Sequence, residues 1–314
     1  MISYIVSRLG QSLIVLIIVS FFTFSLIYLI PGDPVITMLG PEASIEEYNH
    51  LKEMLGLDLP FHQQYGNWFF KILHGDFGKS IIYGEDIIDL IATRLPVTLH
   101  LGITSLIFSI IIAIPAGVIA AVRRGSILDQ VITVSANIGM ATPIFWLGIL
   151  GIYLFSLQLD WLPVQGYTSP FEDFWHSTRQ IIMPVLCMSV VSLASLSRQT
   201  RSSMLEVIRQ DYIRTALSKG LEERVVITKH ALKNAIIPVI TLLGLQIRFL
   251  FTGSVLVETV FNIPGLGRLL VRGVFDHDYI IVQSGVLMVA AVVALANLIT
   301  DISYGYFDPR IRYD

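Results

Sequence analysis

The chain has 314 residues, of which 54% are hydrophobic and 14% are charged, and its formal net charge is −3. Its mean hydropathy is +0.70, whereas a soluble domain carries about 25% charged residues, so a water-soluble globule of this size is excluded. The net charge excludes a basic nucleic-acid-binding protein, and the hydrophobicity excludes a disordered chain. The single cysteine, Cys187, excludes an internal disulfide. The composition is that of a polytopic membrane protein.

Long uncharged stretches predict six membrane-spanning helices, because a helix needs about 20 apolar residues to cross the hydrocarbon core. In chain order they lie between Arg8 and Asp33, Arg94 and Arg123, Asp129 and Asp160, Arg179 and Arg198, Lys233 and Glu258, and Asp278 and Asp301. The fifth stretch is interrupted only by Arg248. The first apolar run is longer than the roughly 7–15 residues of a signal-peptide core, and no small-residue cleavage site follows it. We therefore expect an uncleaved first helix.

The spans predict how the chain is divided and oriented. We expect a first transmembrane helix at 1–30, an external segment at 31–95, a five-helix core at 96–307 and a tail at 308–314. If both termini and the loops at 123–129 and 198–233 share one side, that side holds 13 basic and 7 acidic residues. The other side holds 7 basic and 16 acidic residues. Because cytoplasmic loops are enriched in Lys and Arg, both termini are predicted to be cytoplasmic.

The largest cytoplasmic piece combines positive charge with helical spacing. Apolar residues recur at helical spacing through 203–219, Gly220 stands where a left-handed residue ends a helix, and a second helical stretch follows at 221–234. This excursion fits an amphipathic helix on the membrane surface. It fits equally a knob that docks into a groove on a cytoplasmic partner, and the residues alone leave both interpretations open.

Two motifs that suggest chemistry are weak. Residues 75–80 read GDFGKS, but a phosphate-binding loop needs glycine where Leu73 stands, so we expect a turn there. Asp276, His277 and Asp278 offer metal-ligand atoms, yet no histidine pair has HExxH spacing and the chain has one thiol. We therefore expect no metal site. No evident nucleophile–base pair lies within the spans, and we expect no enzymatic activity.

Arg248 lies near the middle of the fifth span, where a charge costs at least about 2.5–3.5 kcal/mol on insertion scales. It either pairs with Asp301 or with backbone carbonyls, or it faces a pore and contacts substrate or a gate. Asp301, near the cytoplasmic end of the sixth span, is the only acidic residue inside an apolar stretch. An ion-coupled secondary transporter needs a path of such residues, so it is the weaker alternative from another class.

The stretch DYIRTALSKGLEERVVITKHALKNAIIPVITLLG (211–244) resembles the EAA loop of bacterial ABC-importer permeases. The whole chain resembles the dipeptide/oligopeptide/nickel permease family, in the subunit type with a long first external segment. Further matches follow in order at PGDP (31–34), LGLDLPFHQQYGNW (55–68), GDFGKS, RLPVTLHLG (94–102), FWLG (145–148), WLPVQGY (161–167), VETVFNIPGLGRLL (257–270), DYIIVQ (278–283) and DPRIR (308–312). The chain departs from the general pattern at Arg214-Thr215-Ala216, which replaces Glu-Ala-Ala, and at Arg248 and Phe249, where small residues are expected.

The resemblance implies an all-α, six-helix permease of the type I ABC importer fold, in the plasma membrane of a bacterium or archaeon. It implies half of a translocation path for short peptides, with nickel or a nickel chelate as the alternative cargo. The implied partners are the lipid bilayer, a homologous second permease, an extracytoplasmic binding protein and two cytoplasmic ATPase subunits. ATP and Mg²⁺ are expected on those ATPases, and no cofactor is expected in this chain.

The resemblance also assigns roles to residues. The cytoplasmic loop 202–234 is expected to insert a coupling helix into a cleft on one ATPase. The expected coupling residues are Arg214, Thr215, Ala216, Ser218, Lys219, Gly220, Leu221 and Glu222. The candidate pore-lining residues are Arg248 and Phe249.

Overall fold

A computed structural model describes the backbone of residues 2–29 and 32–307, and the side chains of 5–29, 32–246 and 253–300. Within these ranges the regular structure is helical, apart from an isolated antiparallel bridge between Lys79 and Asp86. The helices are α1 (Ile2–Leu29), α2 (Pro34–Leu39), α3 (Ile45–Met54), α4 (Phe61–Leu73), α5 (Ile87–Val122), α6 (Ile127–Ala141), α7 (Ile144–Gly151), α8 (Phe174–Ile208), α9 (Asp211–Ser218), α10 (Glu223–Val225), α11 (Leu232–Val260), α12 (Leu266–Phe275) and α13 (Tyr279–Phe307). Two π-helical segments, Ile152–Gln158 and Val226–Ala231, follow α7 and α10.

Five of the predicted spans coincide with helices that are long and apolar enough to cross a membrane, namely α1, α5, α8, α11 and α13. The third predicted span is not one straight helix. The helices Ile127–Ala141 and Ile144–Gln158 meet the same criteria together but are bent by 102°. Pro143 disfavours helical backbone at the preceding residue, and Thr142 is accordingly extended, with φ −90° and ψ 127°. The six predicted crossings therefore hold only if this bent pair counts as one.

The helix predicted at 203–219 is two helices. α8 runs on to Ile208, Gln210 is extended with ψ 149°, and α9 begins at Asp211. An acidic residue in the first turn favours a helix start at this point, because it faces the positive end of the helix dipole. The break lets α9 leave the direction of α8 and fold back onto it.

The described chain forms two compact units. The first unit contains the chain up to Val97 together with Pro264–Leu298, and the second contains Thr98–Ile263 and the chain from Ile299. The predicted boundaries at residues 30, 95 and 307 separate membrane from external parts of the chain, and they stay predictions. The predicted tail at 308–314 lies outside the described residues.

The first unit is held together by contacts between the beginning and the end of the chain. Its buried core combines Val35, Met38, Leu51, Ile87, Leu90 and Ile91 with Leu266, Leu269, Ile280 and Ile281. The buried Asp278 carboxylate joins the same parts. Its Oδ2 accepts hydrogen bonds from Ser80 Oγ at 2.6 Å and from the amides of Ile81 and Ile82 at 2.9 and 3.2 Å. These donors offset the cost of burying the carboxylate.

In the second unit, α5 and α8 approach closely through small side chains. Buried small residues recur every fourth position on α5, at Ser105, Ser109, Ala113, Gly117 and Ala121. Ser105 Oγ lies 3.0 Å from Ser189 Oγ of α8, and Ser109 Oγ donates to the Ser189 carbonyl oxygen at 3.3 Å. Small residues at such spacing let helix backbones approach in a membrane. Since α6, α7 and α11 also pack against α8, that helix is central to the unit.

We expect Gly117→Ala to destabilise this helix pair. The added methyl carbon would lie 2.6 Å from both the Ser197 carbonyl oxygen and Thr200 Cβ. Overpacking of this kind costs about 1–3 kcal/mol. Thermal unfolding of the purified protein should therefore show a lower Tm than the wild type. Gly10→Ala, where the new Cβ would meet nothing within 4 Å, is the control, and equal Tm values for all three proteins would refute the close approach.

Candidate functional site

The predicted coupling loop at 202–234 is anchored by a buried apolar core. Ile213 and Ala216 on one face of α9 pack with Ala121, Met204, Val226, Ala231 and Ala235, which come from α5, α8, the second π-helical segment and α11. Tyr212 Oη accepts a hydrogen bond from Asn234 Nδ2 at 2.7 Å, which ties α9 to α11. The apolar face of α9 is thus covered by protein. This favours a docking knob over a membrane-surface helix, whose apolar face would have to be free.

The opposite face of the loop is exposed. Of the eight predicted coupling residues, seven are exposed, namely Arg214, Thr215, Ser218, Lys219, Gly220, Leu221 and Glu222. Ala216 is buried and anchors the loop from within. Tyr212 and Leu217 were not among the predicted residues, but they are 43% and 46% exposed on the same stretch, beside Leu221 at 41%. We call the exposed residues of 212–222 the knob surface, and its apolar side chains among polar neighbours are typical of a protein-binding patch.

Gly220 ends α9 in the left-handed conformation that its position predicts, with φ +78°. The Gly220 N–H donates to the Leu217 carbonyl oxygen at 2.9 Å, and the Leu221 N–H donates to that of Ala216 at 3.4 Å. This pair of bonds is a Schellman motif, in which a left-handed residue reverses the chain and satisfies the last carbonyls of the helix. No atom lies within 4 Å of the position a Cβ would take, so glycine is needed here for its conformation and not for space.

An ion pair fixes α8 shortly before the loop begins. Arg201 Nε and Nη2 donate to Asp129 Oδ1 and Oδ2 at 2.6 and 2.9 Å. The Asp129 side chain is 7% exposed and also accepts the Gly125 N–H at 2.9 Å. Bidentate, charge-assisted bonds of this kind are among the strongest in proteins. The ion pair thereby joins the turn between α5 and α6 to α8. The sequence did not predict this pair, because each residue by itself is typical of a solvent-exposed charge in a loop.

A second buried carboxylate was also missed from the sequence. In the sequence, Glu258 is the charged residue at which the fifth predicted span ends, and no other role was predicted for it. In the structure it is fully buried on α11 and accepts a hydrogen bond from Thr98 Oγ at 2.7 Å. The side chains of Arg248, Phe249 and Asp301 lie outside the described residues. The predicted pore-lining role of the first two, and the pairing of Arg248 with Asp301, therefore stay predictions.

The GDFGKS stretch and the cluster at 276–278 have structural roles and do not form a phosphate-binding loop or a metal site in the described part of the chain. In the GDFGKS stretch, Gly75 and Gly78 have φ +85° and +83°, and the next helix begins only at Ile87, so no helix N-terminus follows as a phosphate loop requires. The Ser80 hydroxyl is used by Asp278. Among the residues that the structure describes, no three His, Cys, Asp or Glu side chains are placed to hold a metal ion together.

Comparison with known proteins finds similarity along the entire chain. The family described as binding-protein-dependent transport system inner membrane component matches residues 113–313, and the N-terminal part of such a membrane component matches residues 1–102. The dipeptide transport system permease protein of Alkalihalophilus pseudofirmus is 40% identical over 333 aligned residues, which cover 100% of both chains. That of Escherichia coli K12 is 40% identical and covers 100% of this chain and 99% of the relative. The di/tripeptide transport system permease protein of Pseudomonas aeruginosa is 39% identical with the same coverage.

Proposed function

Because the chain belongs to the family of binding-protein-dependent transport system inner membrane components, we propose that it is the permease subunit of an ATP-driven importer of short peptides. The relatives from three bacteria are named for dipeptides or di- and tripeptides, and they align with this chain from end to end. Their names support peptides over nickel as the cargo. The chain is a multi-pass membrane transport subunit and not an enzyme.

A permease of this family works with ATPase subunits and a substrate-binding protein. In our proposal this chain forms half of the path with a homologous second permease, and an extracytoplasmic binding protein delivers the peptide. Two cytoplasmic ABC ATPases bind ATP and Mg²⁺. The 13 basic and 7 acidic residues on the side of the termini and of 198–233 support a cytoplasmic position for both termini and for the knob surface.

The two-sided construction of the coupling loop is the observation that carries this proposal. Its outer face is free to meet an ATPase, and its inner face is packed into α5, α8 and α11. Only two residues, Arg209 and Gln210, separate α8 from α9, so no flexible linker intervenes. In the proposed cycle, nucleotide-driven closure of the ATPases displaces the knob surface. The buried core transmits this displacement to the helices that carry it, and the path switches from inward-facing to outward-facing.

Transport by the reconstituted importer tests the function. We expect vesicles containing this permease, its partner permease, both ATPases and the binding protein to accumulate radiolabelled dialanine only when ATP is supplied. Uptake of Ni²⁺ without uptake of dialanine would support the nickel alternative. Uptake driven by a proton or sodium gradient without ATP would support the ion-coupled transporter instead.

We further propose that Arg248 and Phe249 line the path, since a charge inside an apolar span generally faces a bundle interior or an aqueous path. Arg248→Ala should reduce dialanine uptake at low substrate concentration by about tenfold, the effect of losing one hydrogen bond to a charged group. Arg248→Lys keeps the charge and should retain more uptake. If Arg248→Ala instead dissociates the complex on size-exclusion chromatography, the residue has a structural role.

A further inference from the structure

The first unit contains a cavity of about 710 Å³ that none of the proposed transport steps uses. Its walls come from α1, α4, α13, the end of α3 and the loops between α3 and α5. The floor is apolar and buried, with Phe24 and Ile27 from the end of α1 and Ile280 from the start of α13. Gln283 Nε2 donates to the Phe24 carbonyl oxygen at 3.1 Å and closes the floor between the two helices. The volume is within the roughly 300–1,000 Å³ of small-molecule sites.

The cavity lies where two candidate spans end together. α1 ends at Leu29 and α13 begins at Tyr279, so the floor residues lie in the last turns of one span and the first turn of the other. Tyr28 and Trp68 also line the cavity. Tyr and Trp are enriched at the membrane–water interface, where their rings sit at the level of the lipid headgroups. The cavity is therefore placed at that level.

The rim of the cavity carries charges of both signs. Exposed Lys71 and Lys79 line it together with the exposed carboxylates of Glu53, Asp76 and Asp86. Asp76 Oδ1 accepts the Gly78 N–H at 3.0 Å. The other four charged groups have no hydrogen-bond or ion-pair partner within the described part of the chain. Two ammonium groups and three carboxylates above an apolar floor complement a ligand that has one anionic group, one cationic group and an apolar body.

We propose that this cavity binds one phospholipid with a zwitterionic headgroup that ends in a primary amine. The lysines bind its phosphate, and the carboxylates accept hydrogen bonds from its ammonium group. The acyl chains leave the cavity along its exposed apolar lining, where Met54, Leu59 and Phe70 are 45%, 41% and 62% exposed. A short peptide also carries both charges, but it has no need of a site at the ends of two spans, and this position favours the lipid.

Native mass spectrometry of the complete importer complex in mild detergent tests the proposal. The probes are phosphatidylethanolamine, phosphatidylcholine and phosphatidylglycerol with identical acyl chains, and trialanine. We expect one phosphatidylethanolamine per copy of this chain, retained at least about tenfold more tightly than the other two lipids. The choline headgroup of phosphatidylcholine has no N–H to donate to the carboxylates, and the glycerol headgroup of phosphatidylglycerol has no positive charge. Failure to retain the lipid, equal retention of all three, or its displacement by trialanine would overturn the proposal.

Variants locate the bound lipid. The double substitution Lys71→Ala and Lys79→Ala should abolish the selective retention, and Glu53→Gln should weaken it. All three side chains are exposed, so the fold does not depend on them. Lys52→Ala is the matched control, because this lysine of the same unit pairs with Asp58 at 2.8 Å and does not line the cavity. Unchanged retention in the double variant, or equal loss in the control, would overturn the assignment to this cavity.

Discussion

Gly220→Val should weaken the stimulation of ATP hydrolysis by substrate-loaded binding protein in the assembled importer. The residue holds φ +78°, a conformation that costs an L-residue about 1–2 kcal/mol and a β-branched one more. Valine would therefore open the turn after α9 and displace Lys219, Leu221 and Glu222 from the knob surface. We expect the ATP turnover stimulated by substrate-loaded binding protein to fall by about tenfold or more, as expected for a strain cost of 1.4 kcal/mol or above. Size-exclusion chromatography should show an intact complex.

Gly75→Val is a matched control for this result. Gly75 has φ +85°, it ends α4 with the same pair of backbone hydrogen bonds, and no atom lies within 4 Å of its Cβ position either. The backbone strain is thus similar, but the residue lies in the first unit and not on the knob surface. Gly220→Asn is a second control, since asparagine tolerates the left-handed region better than valine. Full stimulation of ATP hydrolysis in Gly220→Val, or the same loss of stimulation in Gly75→Val, would contradict the coupling role.

Arg201→Ala should lower the free energy of unfolding by about 2–3 kcal/mol. It removes two donors from an Asp129 side chain that is only 7% exposed, and breaking a fully buried pair costs roughly 3–5 kcal/mol. Because the Arg201 side chain is 29% exposed, we expect a smaller loss than for full burial. Arg201→Lys keeps the charge but not the bidentate geometry, so its stability should be intermediate. Chemical unfolding of the purified wild type and of both variants measures these differences in the free energy of unfolding.

A double-mutant cycle separates the ion pair from other effects of these substitutions. Asp129→Ala, Arg201→Ala and the double variant should be strongly non-additive, because the second change removes a group that the first has already left without its partner. Arg214→Ala is the matched control. Its contact with Asp211 is 3.6 Å long between side chains that are 74% and 98% exposed, so its loss should have little effect on stability. Additive losses in the cycle would show that the pair does not act as a unit.

Five of the six spans were predictable because hydropathy alone decides them. Four of them contain a long uninterrupted apolar stretch, the fifth is interrupted only by Arg248, and no alternative structure satisfies their backbone in lipid. The bend after α6 was not predictable from Pro143 alone. Pro184 and Pro238 lie inside α8 and α11 without ending either helix. Whether a proline is accommodated depends on which neighbouring helices cover the freed carbonyl, and that is a tertiary property.

The coupling loop was partly predictable for a similar reason. The turn at Gly220 is local, so its sequence position indicates its conformation. The burial of Ala216 beside the exposed Thr215 depends on Met204 and Ala235, which lie on other helices. The pairing of Asp129 with Arg201 joins residues 72 positions apart. No periodicity in the sequence marks such a pair, and each residue by itself reads as a solvated charge at the end of a span.

The bonds of Asp278 have a consequence for how the protein is made. Ser80 and Asp278 are 198 residues apart, and ribosomes add about 5–20 residues per second. About 10–40 s therefore pass between the synthesis of Ser80 and the synthesis of Asp278. During this interval Ile87, Leu90 and Ile91 lack the C-terminal half of their core. The unit that is begun first during translation is thus completed only after residues 98–263 of the second unit have been made. A chain that stops before α13 is released with this core incomplete and open to proteases.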